Sequence, residues 1–187
     1  MLLDQKRTRR TVQVVAIFTS IAFGGVIIVV LGLVFFGGGS ASAEDQLLSD
    51  AKTRVQQQPR NPDAWEQLAS AYRAKNELPQ AIAAADKALS FAPNDFSRLQ
   101  TLISLQLDRG DSAGAIAALS DFTVRNPKNA DAFLQLGQQA QAAGRTQLAR
   151  LSYQAFLRLA PDDSNAPAVK ARLNQLSGTA TQTAPAG

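Results

Sequence analysis

The chain offers few side chains for catalysis or metal binding. Its 187 residues include no histidine and no cysteine, which removes the usual general base, the thiolate nucleophile and the commonest zinc ligands. An enzyme built from this sequence would have to use carboxylates, lysine or tyrosine. Most acidic residues, such as Asp108, Asp162 and Asp163, stand at predicted helix ends and turns, where capping and the helix dipole favour them.

We therefore predict that the protein is not an enzyme and that it has no catalytic residues, no metal, no cofactor and no small-molecule substrate. Carboxylate chemistry is the alternative, and it would require two acids that converge in one pocket. The segment DRGDS (108–112) contains the Arg-Gly-Asp tripeptide of adhesion ligands. Glycine and aspartate are also the residues that a tight turn between helices favours, and we interpret the segment as such a turn.

The charge distribution argues against nucleic acid as a partner. The sequence has a pI of about 9.8, but its basic excess comes from Lys6, Arg7, Arg9 and Arg10, and basic and acidic residues nearly balance from Glu44 onward. A nucleic-acid site requires a basic patch on the folded domain. The basic cluster instead stands directly before an apolar segment.

Residues 12–36 are predicted to form a transmembrane helix. They contain no charged side chain, and as a helix they would be about 37 Å long, enough to cross a hydrocarbon core of about 30 Å. Because the basic residues precede this segment, the positive-inside rule places residues 1–11 in the cytoplasm and everything after the span outside it.

The alternative for this segment is a cleaved signal peptide. Ala41-Ser42-Ala43 resembles a signal-peptidase site, with cleavage after Ala43, but the apolar run is longer than the 7 to 15 residues typical of signal peptides. We favour a retained anchor, followed by a flexible tether over 37–43.

Four prolines mark a repeat in the rest of the chain. Pro59, Pro93, Pro127 and Pro161 are separated by 34 residues each, and a fixed period of this length indicates a repeat array. Three blocks follow, 62–95, 96–129 and 130–163, and equivalent positions in them agree in chemistry. One set is Trp65, Leu99 and Phe133; another is Leu68, Leu102 and Leu136; a third is Ala81, Ala115 and Ala149.

The blocks resemble the tetratricopeptide repeat (TPR) family, whose signature places a large apolar residue, Leu, a small residue, Tyr, Ala and a closing Pro in two antiparallel helices. The first block matches nearly throughout, at Trp65, Leu68, Ala69, Tyr72, Ala81, Ala88 and Pro93. The second block departs most, with Ile103 at the small position, Gln106 at the tyrosine position and Phe122 for an alanine. Phe156 also replaces that alanine in the third block.

This resemblance implies an all-α fold, a right-handed α-solenoid of three helix pairs with flanking capping helices, here preceded by the transmembrane helix. We expect a domain over 44–176, with a leading helix at 44–58, a capping helix at 166–176 and a disordered tail at 177–187. Asn61, Ser112 and Thr146 are expected as helix caps, and Trp65 as a core residue. The helices are predicted near 45–58, 62–75, 79–91, 96–109, 113–125, 130–143, 147–159 and 166–176.

The resemblance also implies a concave groove, lined by the first helix of each repeat, that binds an extended or helical peptide. The Lys and Asn pattern that clamps chaperone tails is absent, because Glu66, Ser70, Thr101, Asp131 and Gln135 stand at those places. The residues assigned to the groove by repeat position are Glu66, Ser70, Arg73, Gln100, Ser104, Leu107, Leu134, Gln138 and Gln141.

The sequence therefore predicts a single-span bacterial membrane protein that presents a TPR scaffold on the extracytoplasmic side of the cell membrane. Its expected partner is a protein or peptide. The layout resembles assembly factors of cytochrome c maturation and ancillary subunits of secretion machinery, although no motif distinguishes between them.

Overall fold

The computed structural model describes residues 42–182, and eight α-helices connected by short turns make up this part of the chain. The described residues from Glu44 onward belong to one compact unit. The helices are α1 (Ala43–Gln57), α2 (Pro62–Ala74), α3 (Leu78–Phe91), α4 (Phe96–Asp108), α5 (Ser112–Arg125), α6 (Ala130–Ala142), α7 (Thr146–Leu159) and α8 (Ala166–Gln182).

The first helix of each repeat begins at an equivalent capping residue. The side chains of Asn61, Asp95 and Asn129 accept hydrogen bonds from backbone amides in the first turns of α2, α4 and α6. These amides have no partner within the helix, so each cap satisfies a donor that would otherwise be left open. The cap predicted at Asn61 is confirmed, and Pro62 follows it at the first helical position.

The caps predicted for the second helices are wrong. Asp111 caps α5, accepting a hydrogen bond from the Gly114 amide at 2.8 Å, and Ser112 is the first helical residue. Thr146 is likewise inside α7, whose cap residue, Arg145, makes no capping hydrogen bond with its side chain. The turn preceding Asp111 contains Gly110 at φ +79°, a conformation that glycine adopts without strain, so the turn interpretation of DRGDS is confirmed.

The equivalent apolar positions form the core. The leucines at 68, 102 and 136 and the alanines at 81, 115 and 149 are all buried. Trp65 departs from the prediction, because it is only partly buried against the core. Its indole N–H donates to the carbonyl of Pro59 at 2.8 Å, so the ring must reach the turn before α2 and cannot bury completely.

The middle repeat packs less closely than the other two. Fewer residues of α4 and α5 lie close to one another than in the pair α2 and α3 or the pair α6 and α7. The small position explains this, since Ile103 in α4 stands where α2 has Ala69 and α6 has Gly137. A Cβ added at Gly137 would lie 2.5 Å from the ring of Tyr153, which shows how close the third pair is.

The last helix is longer than predicted. It continues through 177–182, so the disorder expected from 177 is wrong for these residues. No proline occurs between Pro167 and Pro185, and the backbone hydrogen bonds can therefore continue.

Among residues 42–182, no helix is both long and apolar enough to cross a membrane. The segment 12–36, for which the sequence predicts a transmembrane helix, lies outside the described residues, and so do 1–11, most of the tether and 183–187. The transmembrane helix stays a prediction.

Candidate functional site

The nine residues assigned to the groove lie on the first helices of the repeats, α2, α4 and α6. We call this set the wall. The structure places its members in four environments: one junction held by ion pairs, one junction without them, a groove beside the first helix, and a groove beside the last helix.

The junction between α2 and α4 is held by Arg98. Its guanidinium forms ion pairs with Asp63 at 2.5 Å and with the wall residue Glu66. The Arg98 side chain is only 13 % exposed. Burial alone would lower the Arg98 pKa, but the hydrogen bond to Asp63 and the charge of Glu66 outweigh it and raise the pKa above its usual value. The Glu66 carboxylate is thus already engaged in an ion pair within the domain.

Further ion pairs reinforce this end of the domain. The wall residue Arg73 pairs with Asp108 at the end of α4, at 2.7 Å. Lys75, directly after α2, pairs with Asp45 of α1 at 2.5 Å, and that hydrogen bond raises the pKa of Lys75. The cations of α2 and its C-terminal turn are thus used in contacts with the neighbouring helices.

An open groove of about 590 Å³ lies between α1 and α2, and we call it the leading groove. The wall residues Glu66 and Ser70 line it, together with small apolar side chains such as Ala71 and Ala74 and with Leu47 of α1. Leu47 is 57 % exposed. This groove combines an apolar floor with charged side chains of both signs, Asp50, Arg54, Asp63 and Glu66.

No described residue forms an ion pair across the junction between α4 and α6. Thr101 of α4 donates to Glu66 at 3.5 Å, but Gln135, its equivalent in the next repeat, has a buried side-chain oxygen without a hydrogen-bond partner. Of the wall residues here, Gln100 and Leu107 are exposed and Ser104 is partly buried. Leu134 is also partly buried and packs against the core.

A second open groove lies where α6, α7 and α8 meet, and we call it the closing groove. It is lined by Gln138, Gln141, Ala142, Tyr153 and Arg172. The buried Tyr153 hydroxyl donates to the Gln141 side-chain oxygen at 2.7 Å. Burial raises the Tyr153 pKa, whereas the nearby Arg172 opposes this rise.

Several charged residues of these sites are absent from the predicted wall, among them Asp108, Arg98 and Arg172. Asp108 and Arg98 lie on α4, and their partners lie on α2 in the preceding repeat: Asp108 contacts Arg73, and Arg98 contacts Asp63. The stacking of consecutive repeats therefore brings these residues together. Arg172 lies on α8, which the sequence identifies only as a capping helix. In the described residues, no group of three or more acidic side chains is placed to hold a metal ion.

The sequence itself agrees with this architecture. A profile described as tetratricopeptide repeat matches residues 37–96 and 101–164, about two thirds of the chain. The protein belongs to the tetratricopeptide repeat family. The fold expected from the sequence, helix pairs of the TPR type, is therefore confirmed for the described residues.

Solved structures share this TPR fold. A crystal structure of MamA has a TM-score of 0.55 at 20 % identity, over 70 % of this chain and 77 % of that one. A tetratricopeptide repeat protein from Parabacteroides merdae ATCC 43184 has a TM-score of 0.56 at 18 % identity, over 71 % and 53 %. MamA 41-end from Desulfovibrio magneticus RS-1 has a TM-score of 0.50 at 17 % identity, over 75 % of this chain and 84 % of that one. No curated protein matches the sequence.

Proposed function

We propose that this TPR protein is a membrane-anchored scaffold that binds a peptide or helix of a partner protein along its wall. The observation that carries the proposal is the placement of Ser70 and Gln138. These residues occupy equivalent positions two repeats apart, and each lines an open groove. Extended faces of repeat proteins are their usual binding surfaces.

The partner-binding test compares variants on the wall with matched variants elsewhere. Ser70→Arg and Gln138→Glu place a charge in the leading and closing grooves, and neither side chain forms an ion pair that holds the fold. Ser90→Arg on α3 and Gln154→Glu on α7 make the same changes at exposed positions outside the grooves. Proximity labelling from the domain, in native cells, should lose the same partner with both wall variants and keep it with both controls. Equal labelling by all four variants would refute wall binding.

The anchor is the second part of the proposal. The apolar segment 12–36 and the basic residues before it support a single span with the repeat domain on the extracytoplasmic side of a bacterial cell membrane. Anchoring confines the domain to the membrane surface and raises its local concentration near membrane partners. A groove of low affinity is then sufficient for binding. This arrangement suits an assembly factor, for cytochrome c maturation or for a secretion machine.

The anchor is tested by topology and processing. A reporter fused after Ala43 should be active only on the extracytoplasmic side, and the mature protein should retain its first residues. Cytoplasmic activity of the reporter would show the opposite orientation. A mature N-terminus at Glu44 would show that the segment is a cleaved signal peptide and not an anchor.

A further inference from the structure

The closing groove presents hydrogen-bond donors and one cation. Gln141 uses its side-chain oxygen to accept from Tyr153, which leaves its amide N–H groups free to point elsewhere. Gln138 contributes a second, exposed amide. Arg172 adds a guanidinium, and no acidic residue lines this groove.

Arg172 differs from three cations on or beside the first two repeats. Arg73, Lys75 and Arg98 are each paired with a carboxylate, whereas no carboxylate of the described residues forms an ion pair with Arg172. Its helix is held against the core by the buried Val169 and by Leu173, and the partly buried Arg172 lines the closing groove. A partly buried guanidinium without a counter-ion is a strong donor for an incoming anion.

The buried tyrosine explains how the donors are kept in place. Tyr153 packs against Gly137 so closely that a methyl group there would not fit. Its hydroxyl then fixes Gln141 on α6, and it lies beside Arg172 on α8. The ring thus holds the Gln141 side chain in place, so that less of its freedom remains to be lost when a ligand binds.

We propose that the closing groove is a carboxylate-binding site, in which Arg172 pairs with the anion and the amides of Gln138 and Gln141 donate to it. The proposal deepens the scaffold function and rests on it, because the carboxylate would belong to the bound partner segment. Its source is either an Asp or Glu side chain or a free C-terminus. No acidic residue lines the closing groove, and it differs in this from the leading groove, whose lining combines three carboxylates with the cation Arg54.

The test uses the full-length chain, labelled with ¹⁵N, and four short probes. These are acetate, N-acetyl-trialanine with a free C-terminus, N-acetyl-Ala-Glu-Ala-amide, and the neutral N-acetyl-Ala-Gln-Ala-amide. The free-terminus or the glutamate peptide should shift the side-chain amide signals of Gln138 and Gln141, and the neutral peptide should not. Whichever of the two binds more tightly identifies the source of the carboxylate.

The variants are Arg172→Gln, Arg172→Lys and, as the matched control, Lys170→Gln on the exposed side of the same helix. Arg172→Gln should weaken carboxylate binding about tenfold or more, because a hydrogen bond to a charged group is lost. Arg172→Lys should recover part of the affinity, and Lys170→Gln should bind as the natural chain does. A dispersed, unchanged spectrum away from the groove shows that each variant is folded.

Binding that is equal for the neutral and acidic peptides, or unaffected by Arg172→Gln, would overturn the proposal, as would no shift with any probe. Failure here is distinct from failure of the scaffold function. If Ser70→Arg and Gln138→Glu abolish partner labelling while the carboxylate probes give no response, the wall binds its partner without this site.

Discussion

The two ends of the wall solve the same packing problem with different chemistry. At the leading end, small alanines fill the space between helices, and Arg98 and Arg73 tie α2 to α4 by ion pairs. At the closing end, the buried rings of Tyr153 and Phe156 fill that space, and no carboxylate among residues 42–182 forms an ion pair with Arg172. A repeat scaffold can therefore use its cations for stability in one place and keep one available in another.

The largest effect should follow from removing an aromatic of the closing end. Phe156 is completely buried, where the first repeat has Ala88. Phe156→Ala should cost about 3–5 kcal/mol of unfolding free energy, because it leaves a cavity. Urea denaturation measures this, and a loss below about 1 kcal/mol would show that the aromatic packing does not distinguish the two ends.

Gly137→Ala tests the close approach in the third repeat. The added methyl would collide with Tyr153, and we expect a loss of about 1–3 kcal/mol from overpacking, although alanine is the better helix former. Ala69→Gly, at the equivalent position of the first repeat, serves as the comparison and should cost about 1 kcal/mol. A stabilised Gly137→Ala protein would contradict the proposed tightness of this pair.

Arg98→Gln tests the ion pairs of the leading end. Since Arg98 is mostly shielded and holds Asp63 and Glu66, its removal should cost about 2 kcal/mol. The more exposed pair is the control, and Arg73→Gln should cost less than about 1 kcal/mol. Thermal unfolding at low and high salt separates the two variants. If both cost the same, the shielding of Arg98 has no energetic consequence.

The smallest expected effect concerns the cap of α5. The hydrogen bond from the Gly114 amide, and secondarily that from Arg109, lowers the pKa of Asp111. Its stabilising contribution is therefore fully present above the pKa of an unfolded aspartate and is lost as the pH falls through the lower folded value. A stability profile against pH should show a steeper acid loss in the natural chain than in Asp111→Asn. If the two proteins lost stability in parallel as the pH falls, the Asp111 cap would not contribute to the acid loss.

The repeat period made most of the fold predictable. Prolines spaced by 34 residues fixed the phase, and the observed helix bounds lie within two residues of the predicted ones, except at the end of α8. Capping by Asp111 was missed because aspartate, serine and threonine compete for the same role at neighbouring positions. The partial exposure of Trp65 was missed because its hydrogen bond to Pro59 depends on the path of the turn.

The candidate site was less accessible to sequence reasoning. The repeat position of each residue predicted which residues form the wall. It did not show that Glu66 and Arg73 form ion pairs, since their partners lie on the next repeat. Arg172 is in a helix with weak repeat character, and only the approach of α8 to Tyr153 brings it beside the wall.

Trp65 gives the leading end an optical signal of its own. It is the single tryptophan of the chain, and its indole is held against the turn between α1 and α2. Its fluorescence should respond when α1 and the turn after it detach, while circular dichroism follows all the helices. Comparing the two signals during unfolding would show whether the array melts as one unit or opens first from one end.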